Sequence, residues 1–141
     1  MNQEAYSAAV SERSREMIEL LLESDRQSVW TLPACLTLGD VDDATIIDLV
    51  DGCIGSGTLG YPEPKMGGPF QVLPVMLLLA RCEDRLPKEA IDSIHAFLTR
   101  GMIERGNTEN HWLMFYTGNL LAAERWPDEP TFWNGRPPAS I

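Results

Sequence analysis

One segment of the 141-residue chain concentrates side chains able to do chemistry: Asn110-His111-Trp112-Leu113-Met114-Phe115-Tyr116-Thr117-Gly118-Asn119. These residue types suit a carbohydrate groove. Trp and Tyr rings stack on the apolar faces of sugars, while Asn and His hydrogen-bond hydroxyls or a carboxylate. Elimination from a uronic-acid sugar needs three roles: a donor that neutralises the carboxylate and so acidifies the adjacent C–H, a base that removes that proton, and an acid that protonates the leaving oxygen. Asn110 has the right type for the first role, His111 or Tyr116 for the second and Tyr116 for the third. As a base, Tyr116 would need a large shift from an ordinary pKa of about 10. At about 100° per residue on a helix, Trp112, Tyr116 and Asn119 share one face and form the expected substrate-binding surface. Arg105 just upstream, with Arg100, Arg125 and Arg136, offers a local positive patch for an acidic sugar.

The same residues have a structural reading. Thr108 and Asn110 can cap a helix, His111 can bond a backbone carbonyl, and Trp112, Phe115 and Tyr116 can be core. His95, between Ile94 and Ala96, reads as structural or exposed. Asp42, Asp43, Asp48 and Asp51 could furnish a carboxylate pair for glycoside hydrolysis, yet no aromatic surroundings would raise a pKa there, so a solvated helix face is expected. The glycine-rich stretch Gly55–Gly68 lacks the Lys-Ser or Lys-Thr of a phosphate loop, and Gly55-Ser56-Gly57 is no nucleophile elbow. Cys35, Cys53 and Cys82 are odd in number and widely spaced, which points to free buried thiols. No metal site and no cofactor are expected.

The elements that must position these groups are helical. Residues 3 to about 29 carry apolar residues at three- and four-residue spacing, and Thr31-Leu32-Pro33 should end that helix. Asp40 is the expected N-cap of a second helix with Ile46, Ile47, Leu49, Val50 and Ile54 on one face, weakened and stopped by Gly52, Gly55 and Gly57. Gly55–Gly68 is a loop by composition. A third helix should start near Pro69 or Pro74 and run to about Glu83. A fourth opens with Pro87 at its first position, buries Ala90, Ile91, Ile94, Phe97 and Leu98, and ends at Arg100-Gly101. A fifth, capped by Asn107 or Thr108, runs to about Trp126 and stops at Pro127. The tail is irregular, pinned by Phe132 and Trp133. No stretch alternates with period two, so the chain is read as one all-α domain over 1–141, about five helices in antiparallel hairpins.

Composition bounds the function classes. The apolar fraction is 44% and the charged fraction 23%, ordinary for a folded domain. Eleven Lys and Arg against 21 Asp and Glu leave a net charge of −10, which repels polyphosphate and argues against nucleic acid. Residues 1–60 hold eleven of the acids and three of the bases, so an anionic ligand is expected on the second half. No apolar run approaches the roughly 20 residues of a membrane span, and the start lacks the features of a signal peptide, so a cytoplasmic protein is expected.

Gly106-Asn107-Thr108-Glu109-Asn110-His111-Trp112-Leu113-Met114, followed by Leu120-Leu121-Ala122-Ala123-Glu124, resembles the inner-helix pattern of (α/α)-toroid proteins, including the helical domains of alginate-lyase and heparinase-type polysaccharide lyases. Met76–Ala80 and Leu86–Leu98 resemble the hairpin that precedes it. The resemblance covers about residues 68–138. It implies a sugar-facing groove near Asn110 and His111, with a glycan or small sugar as ligand. Relatives of this fold eliminate, hydrolyse or only bind, so a non-catalytic sugar- or protein-binding module is the alternative. Two departures stand out: His111 intervenes where the lyases commonly show Asn followed by Trp, and a whole toroid needs many more helices than five. The expectation is an incomplete toroid-like unit, the front part of a larger toroid or an inactive truncated piece. Helix faces left uncovered in such a piece would favour self-association.

Overall fold

The computed structural model describes residues 2–24, 28–39, 41–56, 68–101, 107–132 and 135–136. Six α-helices and no strand occur among them: α1 (Gln3–Leu22), α2 (Leu32–Leu38), α3 (Asp43–Ser56), α4 (Val72–Cys82), α5 (Lys88–Ala96) and α6 (Glu109–Arg125). The all-α expectation holds.

Local chemistry explains most boundaries. Asn2 opens α1, its side-chain oxygen accepting from Ala5 N–H at 2.8 Å. The helix ends at Leu22, short of residue 29, and Pro33 is not its terminator. Pro33 sits instead in the first turn of α2, a helix the sequence reading did not separate. A proline costs a helix nothing there, because its missing N–H would have no intrahelical partner. Asp40 lies outside the described residues. Asp42 does the capping of α3, accepting from Thr45 N–H at 2.9 Å and from the Thr45 hydroxyl at 2.7 Å. Those two bonds hold the Asp42 carboxyl below the usual carboxylate range. α3 runs through Gly52 and Gly55 to Ser56, and Gly57 lies outside the described residues. Residues 57–67, most of the expected glycine-rich loop, lie outside the described residues.

A short 3₁₀ turn over Pro69–Gln71 leads into α4, with Pro74 tolerated in the first turn. Pro87 is the N-cap of α5 rather than its first helical residue. After Ala96 the chain widens into one π-helical turn over Phe97–Gly101, which turns three consecutive side chains, Phe97, Leu98 and Thr99, into the core. The Thr99 hydroxyl is satisfied by the His95 carbonyl at 2.7 Å.

The helices stack in two rows. α2 packs on α4 and α4 on α6 in one row, α3 packs on α5 in the other, and the π-helical turn meets α6. One apolar core lies between the rows. It is built from Ile46, Val50 and Ile54 of α3, Val75, Leu78 and Leu79 of α4, Ala90 and Ile94 of α5, and Phe97, Phe115 and Ala122. Phe132 closes it from the tail, as expected; its expected partner Trp133 lies outside the described residues. α1 stands outside both rows, against α2.

Candidate functional site

α6 begins where its sequence allows. The Thr108 side chain accepts from His111 N–H, and Glu109 in the first turn suits the positive end of the helix dipole. Phe115, Gly118, Asn119 and Ala122 face the core. Those four positions fix the rotation of the helix, and with it the direction of every other side chain.

The helical repeat divides the expected site. Asn110 is exposed in the first turn. His111 is half-buried; its ring meets Phe70 edge-on at 4.8 Å, and its Nδ1 is buried without a hydrogen-bond partner. Tyr116 is 54% exposed, its ring edge-on to Phe115 at 5.5 Å. Asn110, His111 and Tyr116 therefore leave the helix in three directions, roughly 100–140° apart at 3.6 residues per turn. The helix does not bring them together on one side. Trp112 is 40% exposed and lies one turn from Tyr116, so these two rings do share a solvent-facing side. Asn119, expected beside them, is buried, and its amide donates to the Phe115 carbonyl at 2.9 Å. Its role is to satisfy polar groups inside the core. Arg105 lies outside the described residues.

The sequence reading missed what surrounds the two rings. Leu113, 69% exposed, and Leu120 flank Tyr116 on the outer side of α6, and Leu73 and Leu77 are exposed on α4, the helix packed beside it. The signal is an α6 apolar almost all round, which leaves apolar residues on the solvent side once one face is buried. Between α4 and α6 runs an open groove of about 460 Å³ lined by Met76, Leu79, Ala80, Glu83, Leu121, Glu124 and Arg125. An Arg125–Glu83 ion pair bridges it.

A second cavity, about 540 Å³, lies between the segment before α2, α3 and the 3₁₀ turn. Trp30, Leu49, Cys53 and Phe70 line it, with Asp48. Burial pushes the Cys53 thiol up, as it does Cys35 and Cys82, so all three remain protonated thiols at neutral pH. No disulfide joins Cys35, Cys53 and Cys82, and no metal-binding group of three or more ligands occurs among the described residues. His95 is structural, as expected: Nε2 meets Glu129 Oε2 at 2.9 Å and its ring packs edge-on to Trp126, tying the tail to α5. Among the described residues, no helix is long and apolar enough to cross a membrane. No family model, curated protein or solved structure matches the chain.

Proposed function

We propose that this chain is a non-catalytic helical binding module that docks an amphipathic helix of a partner protein on the side shared by α4 and α6. One observation carries the reading: the exposed apolar row Leu73 and Leu77 on α4 with Leu113, Tyr116 and Leu120 on α6. Exposed leucines scattered singly need no explanation, but two rows on adjacent packed helices form the kind of surface that marks an interaction site. Spacings of three, four and seven residues suit a helix laid alongside, as in helix-in-groove recognition. The net charge of −10 favours a partner with a basic flank and would speed its approach.

The test places a photo-crosslinking amino acid at Leu113, with Asp92 on the exposed side of α5 as control. The expected result is one dominant adduct specific to position 113. Binding of that purified partner should weaken about tenfold or more in Leu77→Glu and Leu113→Glu, and should weaken with added salt. Equal labelling from positions 92 and 113 would overturn the reading.

A sugar-binding reading has its own support in Trp112 and Tyr116, two exposed rings one turn apart, together with the resemblance to polysaccharide lyases. Under that reading the two rings stack a glycan on the outer side of α6. Incubation with a panel of uronic-acid polysaccharides separates the two forms. Unsaturated product, seen as a rise in ultraviolet absorbance that His111→Ala and Tyr116→Phe abolish, would establish lyase activity. Quenched tryptophan fluorescence without that rise would leave sugar binding alone.

A further inference from the structure

We infer that the cavity of about 540 Å³ between the segment before α2, α3 and the 3₁₀ turn binds a small organic ammonium ion that carries an apolar body. Its volume falls within the roughly 300–1,000 Å³ of small-molecule sites. The lining divides into three parts. Val29, Leu49 and Cys53 give an apolar floor, where the Cys53 thiol is neutral because burial pushes it up. Trp30 and Phe70 supply aromatic rings, and Asp48 supplies charge.

Two observations point to a ligand. The first is Gly52, which lines the cavity one turn after Asp48. A glycine inside a helix weakens it relative to alanine. Packing does not call for one here: the backbone is helical, and a Cβ at this position would meet nothing within 4 Å. What the missing side chain leaves open is the cavity. The second is the pair of rings. Trp30 and Phe70 are each 56% exposed at the same cavity, so a molecule bound against them removes a large apolar surface from water. Phe70 is placed in advance by its edge-on contact with His111 at 4.8 Å.

Charge identifies the class of ligand. Among the described residues that line the cavity, Asp48 alone carries a formal charge at neutral pH. Its carboxylate has no ion pair or hydrogen bond among the described residues. An anion would be repelled by it, and by the eleven acids set against three bases in residues 1–60. A bare divalent cation would find too few ligands, since no metal-binding group of three or more occurs among the described residues. An ammonium ion pairs with the carboxylate and is attracted to the faces of Trp and Phe rings. Asp48 is exposed and Val29 buried, so the charged end sits at the mouth and the apolar end on the floor.

Amide chemical shifts of the full chain, titrated with phenethylammonium, test the inference. 2-Phenylethanol and 3-phenylpropionate serve as neutral and anionic probes of similar shape. Phenethylammonium should shift residues 28–30, 48–53 and 69–71, with a dissociation constant of about a millimolar for so small a molecule. 2-Phenylethanol should bind about threefold or more weakly, and 3-phenylpropionate more weakly still. Asp48→Asn should weaken phenethylammonium about threefold or more and leave 2-phenylethanol unchanged. Asp43→Asn, which removes a charge from α3 outside the cavity lining, should change neither by more than about twofold. Gly52→Leu should abolish the shifts while its thermal transition stays at or above that of the wild type, which separates lost binding from lost fold. Equal binding of phenethylammonium and 2-phenylethanol would overturn the inference. So would undiminished binding in Gly52→Leu, shifts confined to α4 and α6, or no shift at the cavity residues at about ten times the expected dissociation constant.

Discussion

Single residues carry distinct loads. Phe97 is the largest fully buried side chain, held inward by the π-helical turn. Phe97→Ala should cost about 3–5 kcal/mol, measured as a lowered midpoint in denaturant unfolding with little change of slope. Asp42 contributes through the two bonds it accepts from Thr45. Its carboxyl is depressed in the folded state, so its contribution is present above the ordinary carboxylate pKa and is lost as pH falls through the lower folded value. Asp42→Asn can still cap α3 but does not titrate. Its melting temperature should therefore fall less steeply than the wild type's below about pH 4. The cysteines, all pushed up by burial, should react slowly with a thiol reagent at pH 7 and all three together once the chain unfolds. A fast reaction of Cys53 in the native protein would show the 540 Å³ cavity to be open to reagent at the thiol.

Among the elements, α3 shows how a local preference is overridden. Gly52 and Gly55 weaken a helix by conformational entropy, yet Ile46, Val50 and Ile54 bury one face against the core, and that burial holds the helix through both glycines. A Cβ at Gly52 meets nothing within 4 Å. Gly52→Ala should therefore stabilise the protein by about 0.5–1 kcal/mol, read from the unfolding midpoint. The segment of residues 127–132 has no regular structure and is fixed by the His95–Glu129 bond, the Trp126 ring and Phe132. Its backbone closes on itself through Phe132 N–H to the Arg136 carbonyl at 2.8 Å. Glu129→Ala should raise amide exchange over residues 126–132 and leave α4 unchanged.

At the scale of the whole molecule, the two-row body and α1 have different sources of stability. The body shares one core and should exchange its slowest amides only by global opening, whereas α1 has no buried side chain and should exchange much faster in dilute solution. The side of α4 and α6 that carries Leu73, Leu77, Leu113 and Leu120 stays apolar towards solvent.

Much of this arrangement was legible in the sequence because it depends on neighbours in the chain. Apolar residues at helical spacing, the Thr108 cap and Pro127 placed α6 within a residue or two; the same signals placed α4 and identified Ala90, Ile94, Phe97 and Leu98 as core. What the sequence could not specify is rotation. A helix that is apolar on nearly every side does not say which side faces inward; packing against α4 and the π-helical turn decides it. That choice buried Asn119 and exposed Leu113 and Leu120, whereas the separate directions of Asn110, His111 and Tyr116 follow from the helical repeat alone. The residue types able to act on a sugar and their angular spacing on a helix are written in the chain, but which of them face solvent is set by long-range contacts. Here those contacts turn two rings and a row of leucines towards solvent.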